Sequence, residues 1–131
     1  MSAYKSSVSI EATVDAVFAY VRDVRHLPRY LDGMTAAEPT GGEAVRVTAD
    51  VDGVSRTGQA WFRIHEGRHR RIEWGSEGPS EYHGWLEVDR EGEVASVTVE
   101  IHTERSSPEA DERLDRSLFA LKAQVEGMAQ R

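Results

Sequence analysis

The chain has 131 residues, a formal net charge of −7 and no cysteine. The lack of cysteine excludes disulfides and cysteine-based zinc sites, and an acidic chain without a broad basic face argues against a nucleic-acid partner. Its length, with 39% hydrophobic and 30% charged residues, predicts one globular domain over residues 1–131. The sequence shows no membrane span and no secretory signal, so we expect a cytoplasmic protein.

The first thirty residues predict a strand and two short helices. Alternation of polar and apolar residues in YKSSVSIEA indicates a half-buried strand. Thr13 can cap a helix that carries Asp15 in its first turn, where the helix dipole favours a negative charge. Pro28 suits the first turn of a second helix in RHLPRYL.

Turn signals set the predicted register of the strands that follow. The dipeptide DG between Val51 and Val54 predicts a two-residue hairpin turn that pairs these two valines. A second turn, predicted at Glu91-Gly92, places Gly84 opposite Val99 in the next hairpin. Because side chains alternate between the two faces, both hairpins put their apolar residues on one face of the sheet.

The segment HEGRH, residues 65–69, matches the H-E-x-x-H pattern of zinc proteases. That pattern works on a helix, which places two histidines one turn apart on one face. Here the flanking residues alternate with period two and a glycine interrupts the motif. We therefore predict a hairpin with Glu66–Arg68 as its loop, pairing His65 with His69 and Phe62 with Ile72. Exposed polar hairpin residues are expected rather than a zinc site, although two opposed histidines can bind metal adventitiously.

The chain ends in one long predicted amphipathic helix. Ser107 can cap it and Pro108 suits its first position. Apolar residues recur at spacings of three and four, at Leu114, Leu118, Leu121, Val125 and Met128. This stripe must cover an apolar surface, and the concave side of the sheet is the large surface that the chain offers.

The order of elements resembles the START-like, or helix-grip, superfamily, on its polyketide cyclase/dehydrase and lipid-transport side. The resemblance lies in SVSIEATVDAVFAYVRDVRHLPRYL, RRIEWGSEGP, GWLEV and the final helix. Tyr30 stands at a position that such proteins often fill with tryptophan. The resemblance covers essentially the whole chain and supplies no universal catalytic residue.

What the resemblance implies is an α+β helix-grip fold. We expect a curved antiparallel sheet of about seven strands, in the order β-α-α-β6-α, wrapped around the long C-terminal helix. A cavity between sheet and helix typically takes an apolar or aromatic small molecule. We expect contacts with such a ligand from Tyr30, Ala60, Phe62, Trp74, Tyr82, Gly84, Leu118 and Leu121.

The predicted inner face bears on chemistry because it contains no Asp, Glu or His. A general base needs a titratable group near the reacting atom, so we expect ligand binding without catalysis, and no metal or cofactor. Gly58, Ala60 and Gly84 either make room for a ligand or let the helix approach closely, and the sequence leaves both open.

Two other functions remain open at this stage. A cyclase or aromatase-like enzyme could use the same cavity, with tyrosines and arginines stabilising an enolate-like anion. An interaction module could instead have a filled core and act through its surface. Trp61 and Trp85 fall on the outer face, where they either mark a self-association surface or are covered by neighbouring side chains.

Overall fold

The computed structural model describes residues 2–31, 34–51, 53–67, 70–76, 83–103 and 110–129. Its elements follow the predicted order, with a strand, two helices, six more strands and a final helix. They are β1 (Ser2–Ile10), α1 (Val14–Val21), a 3-10 turn (Val24–His26), α2 (Leu27–Tyr30), β2 (Met34–Gly41), β3 (Ala44–Val51), β4 (Val54–Glu66), β5 (Arg70–Ser76), β6 (His83–Glu91), β7 (Val94–Thr103) and α3 (Ala110–Ala129).

The seven strands form one antiparallel sheet in the order β1-β7-β6-β5-β4-β3-β2. Sequential strands are neighbours from β2 to β7, and β1 joins the far side of β7. The sheet is open, with β1 and β2 as its edges. The predicted helix-grip architecture is thereby confirmed. None of the described helices is long and apolar enough to cross a membrane.

Local signals in the sequence explain the N-terminal helices. Thr13 Oγ1 accepts a hydrogen bond from the Ala16 backbone N–H at 3.1 Å, which confirms Thr13 as the cap of α1. Asp23 Oδ1 accepts from the Arg25 N–H at 3.0 Å and begins the 3-10 turn. Pro28 then lies in the first turn of α2, as predicted.

The strand β2 belongs to the six strands that the resemblance implies after the helices, but no residue pattern located it in the sequence. It is an edge strand in which Ala37 is the one fully buried residue, so it lacks the alternation that identifies a half-buried strand. Pro39 cannot donate to a ladder and fits an edge. The turn after β2 contains Gly42 with a φ of 56°, a left-handed conformation that glycine adopts without strain.

The predicted strand register is confirmed in the β3–β4 hairpin and wrong in the β6–β7 hairpin. Val51 pairs with Val54 as predicted. Gly84, however, pairs with Ile101 rather than Val99, because the turn is formed by residues 92–93 instead of 91–92. Since the slip is two residues and side chains alternate with period two, every residue keeps its predicted face.

The same two-residue slip occurs around HEGRH. Strand β4 continues to Glu66, which pairs with Arg70, and Phe62 pairs with Trp74 rather than Ile72. His65 lies opposite Arg71, which corrects the predicted pairing of His65 with residue 69. Residue 69 itself lies outside the described residues. The strand conformation at residues 65–66 is incompatible with the helical zinc-protease geometry.

The core lies between the concave face of the sheet and the helices. Helix α3 contacts β1, α2 and α1. Its predicted apolar stripe is buried at Leu114, Leu118, Leu121 and Val125. The predicted cap at residues 107–108 and the side chain of residue 128 lie outside the described part.

Two charged side chains fasten α3 to the end of β1. The Lys122 ammonium donates to the Ser9 carbonyl at 2.9 Å and to Glu126 Oε2 at 2.5 Å. The same Glu126 oxygen accepts from the Glu11 backbone N–H at 2.9 Å. These hydrogen bonds, the Glu11 one foremost, lower the pKa of the Glu126 carboxyl below its usual range.

We expect Glu126→Gln to lower the melting temperature at pH 7. Because the folded-state pKa is lowered, the ionised carboxylate contributes stability above its unfolded pKa, and that contribution disappears as pH falls through the folded pKa. Melting curves of wild type and variant should therefore converge in acid. Glu38→Gln, at a carboxylate that is 70% exposed, is the matched control and should change little at either pH. An unchanged melting temperature for Glu126→Gln at pH 7 would contradict the fastening role.

Candidate functional site

A pocket of about 370 Å³ opens between the short helices and strands β3 to β5. Its volume falls within the range of small-molecule sites. The sheet supplies the floor and the segment from the 3-10 turn to β2 supplies the opposite wall. The apolar residues that line it, besides two glycines, are Val24, Leu27, Met34, Val45, Val47, Ala60, Trp61, Phe62 and Trp74.

Small residues on β4 create the open space. Gly58 and Ala60 are two residues apart on β4 and lie on the same face as Phe62, so both present their Cα atoms to the concave side. A Cβ added at Gly58 would have no heavy atom within 4 Å. Two residues further on, Phe62 is buried and closes that end of the pocket.

The indole of Trp74 forms a wall whose position depends on Gly84. The two residues are cross-strand partners on β5 and β6. A Cβ at Gly84 would lie 2.8 Å from the Trp74 ring and 3.0 Å from the Glu100 carbonyl oxygen. Gly84 therefore makes room for the indole. Of the choice that the sequence left open, Gly84 takes neither side, because the Trp74 indole occupies the space above it.

The polar lining of the pocket is small and contains no acid–base group. Among the described residues it consists of Arg56, Gln59 and Ser76, with no Asp, Glu or His. The predicted absence of acids from the whole concave face is wrong at one point, since β4 extends to Glu66. That carboxylate is ion-paired with Arg22 and does not line the pocket.

The structure separates the predicted ligand contacts into groups. Ala60, Phe62 and Trp74 meet in the pocket lining, whereas Gly84 lies beneath the indole. Leu118 and Leu121 are buried in the core between helix and sheet and do not line the pocket. Tyr82 was also predicted, and it lies outside the described residues.

Sequence reasoning missed the wall supplied by the short helices. Val24, Leu27 and Met34 line the pocket but belong to a 3-10 turn, a four-residue helix and an edge strand. Such short elements carry no periodic pattern. The available signal was the apolar content of the segment that follows α1, which has no other surface to cover.

Tyr30 lies in the core rather than in the pocket lining. Its side chain is 3% exposed, its ring lies 6.2 Å from that of Tyr20, and its hydroxyl has no hydrogen-bond partner within the described part of the chain. Burial is the main cause that raises the pKa of the Tyr30 phenol, because the anion would be desolvated.

The two tryptophans that the sequence predicts on the outer face, Trp61 and Trp85, are engaged by their own chain, and Trp61 also borders the pocket. Trp85 Nε1 donates to Glu100 Oε2 at 2.9 Å, and the Arg71 guanidinium lies 4.5 Å from the centre of the Trp85 ring system. The Trp61 indole lies over Gly75, where an added Cβ would be 2.5 Å away. Neighbouring side chains thus cover both rings in part, while self-association through them stays a prediction.

The HEGRH segment presents charged side chains instead of a converging set of ligands. His65 Nε2 lies 3.5 Å from Glu73 Oε1 on the convex face. Across the described ranges, no group of three or more His, Asp or Glu side chains is placed to hold a metal ion.

The open, curved sheet and the long helix across it define a START-like helix-grip protein. The structure is similar to a START superfamily protein from Mycobacterium smegmatis (TM-score 0.71, 11% identity, coverage of 98% and 97% of the two chains). The chain belongs to the polyketide cyclase/dehydrase and lipid transport family, whose family model matches residues 1–131. No curated protein matches the chain in sequence.

Other solved structures share the fold at low identity. A Deinococcus radiodurans protein superposes with a TM-score of 0.80 at 19% identity, covering 98% of this chain and 99% of its own. StfQ, a di-domain aromatase/cyclase of the steffimycin biosynthetic pathway, gives 0.78 at 20% identity, with 97% of this chain covering 46% of StfQ. The Zhui aromatase/cyclase from Streptomyces gives 0.72 at 17%, covering 98% and 95% of the two chains.

Two glycine substitutions on the concave face should differ in their effect on stability. Gly84→Ala forces its Cβ against the Trp74 ring and the backbone, so we expect a loss of about 1–3 kcal/mol in unfolding free energy. Gly58→Ala places its Cβ in open space and should be neutral or stabilising by up to about 1 kcal/mol. Urea denaturation measures both. Equal losses of unfolding free energy in the two variants would contradict the close packing of the Trp74 indole over Gly84.

Removing the Tyr30 hydroxyl should not destabilise the protein. A buried hydroxyl without a partner costs about 1–3 kcal/mol, so Tyr30→Phe is expected to raise the free energy of unfolding. Tyr20→Phe is the matched control, because the Tyr20 hydroxyl reaches Gln124 Oε1 at 3.5 Å and its loss brings no such gain. A clear loss of stability in Tyr30→Phe would show that the hydroxyl is bonded in solution.

Proposed function

We propose that this protein binds a small apolar or aromatic molecule, lipid-like or polyketide-like, in the pocket between the short helices and strands β3 to β5. The observation that carries this proposal is an open pocket of about 370 Å³ whose walls include Phe62 and Trp74. Apolar and aromatic surfaces of this kind gain free energy when a ligand replaces water. The family description, polyketide cyclase/dehydrase and lipid transport, supports the same ligand class.

The proposal assigns binding rather than catalysis to this pocket. Proton transfer at a bound ligand would need a titratable group within hydrogen-bond reach. The described lining residues include no Asp, Glu, His or Lys, and Arg56 is their one charged side chain. The ligand is therefore held in this pocket and released unchanged.

A cyclase or aromatase-like enzyme is the second candidate. It is favoured by two structural neighbours, StfQ and Zhui, which are aromatase/cyclases. In this chain a reactive poly-ketone would be folded by the apolar walls, with Arg56 beside a developing enolate. Cyclisation of such a substrate by wild type, lost when the pocket is blocked, would establish this second function. An interaction module acting through Trp61 and Trp85 is less well supported, because the pocket is open.

The binding proposal is tested with N-phenyl-1-naphthylamine, a neutral probe that fluoresces in apolar surroundings. Wild type should show saturable enhancement at one probe per chain. Gly58→Phe should weaken probe binding at least about tenfold, because the added ring occupies open space in the pocket and removes roughly the contact energy of one aromatic group.

Ser55→Phe is the matched control for added aromatic surface on β4. Ser55 faces away from the pocket, opposite Asp50, so this variant should bind the probe as wild type does. Circular dichroism confirms that both variants fold. Unchanged binding by a folded Gly58→Phe protein would overturn the assignment of the pocket.

A further inference from the structure

Arg56 stands out as a cation without a carboxylate partner on the pocket lining. Four other strand arginines are ion-paired with acids 2.9 to 3.9 Å away. They are Arg46, Arg63, Arg70 and Arg71. Arg56 takes part in no ion pair within the described ranges, although the chain as a whole carries an excess of acids.

Side-chain alternation explains why Arg56 has no acid beside it. Its cross-strand partner on β3 is Ala49, and its same-face neighbours along β4 are Val54 and Gly58. The nearest carboxylate on β3 belongs to Asp50, which pairs with Ser55 and therefore projects from the opposite face. Arg56 thus lies at the β3–β4 hairpin side of the pocket, and no carboxylate of the described residues is ion-paired with it.

We propose that the pocket selects apolar molecules that carry a carboxylate, and that Arg56 is the residue that determines this selectivity. The proposal rests on the proposed binding function and adds the chemistry of the ligand's polar end. The apolar body would pack against Phe62 and Trp74 while the carboxylate receives two parallel hydrogen bonds from the planar guanidinium.

The magnitude of the preference follows from the chemistry of a charge-assisted hydrogen bond. Arg56 is solvent-exposed, so its attraction for an anion is screened in the empty pocket. A bound ligand displaces part of that solvent and strengthens the interaction. We expect an acid to bind about tenfold more tightly than an uncharged molecule of the same shape.

The test compares 2-naphthoate with 2-naphthamide as competitors of the neutral fluorescent probe at pH 7. The two share one ring system and differ in the charge of the polar group. Wild type should bind the acid about tenfold better than the amide. Arg56→Gln should bind both equally, and Arg56→Lys should keep part of the preference because it keeps the charge.

Arg46→Gln is the matched control. It removes one positive charge from the neighbouring strand at a residue that does not line the pocket, so it should leave the preference for the acid intact. Equal binding of acid and amide by wild type would overturn this inference while the binding proposal stands. A preference that persists in Arg56→Gln would also overturn it. If wild type fails to bind the neutral probe at all, the proposed function fails together with the inference.

Discussion

The structure depends on how a wide apolar concave face is covered. Seven strands spaced about 4.8 Å apart present far more surface than one helix of about 10 Å diameter can bury. Helix α3 makes its sheet contacts mainly with β1, at one edge. The 3-10 turn and α2 lie over the other half, and they are too short to fill it. The pocket is the uncovered remainder over β3 to β5.

Local contacts decide which parts of that remainder stay open. The Trp74 indole packs over Gly84, so it forms a wall of the pocket and does not fill it. Gly58 and Ala60 leave the neighbouring space empty. The same alternation that makes the concave side apolar puts charged groups on the convex side, where Arg71 bridges Glu73 and Glu87. In the described part of the chain, the concave side thus has an apolar opening over β3 to β5, and charged groups on the convex side form ion pairs.

The sequence predicted the fold, the faces of the strands and much of the pocket floor. Those features depend on the two-residue alternation of apolar side chains. A two-residue error in strand register leaves that alternation unchanged, and the predicted registers of the β4–β5 and β6–β7 hairpins were both wrong by two residues. It could not predict that the Trp74 indole packs over Gly84, because that contact depends on the exact pairing of β5 with β6 and on the rotamer of the indole. It also could not locate β2, the strand for which the residues show no pattern, because its single buried residue, Ala37, gives no alternation to detect.

The central claim is that the pocket over β3 to β5 takes an apolar ligand. An NMR titration of isotope-labelled protein with 2-naphthamide tests it most directly, because amide shifts report the place of binding as well as the affinity. The claim predicts saturable shift changes at Gly58, Ala60 and Phe62, with none at Lys5 on the convex face. Changes confined to the convex face, or no saturable change at these β4 residues, would contradict it.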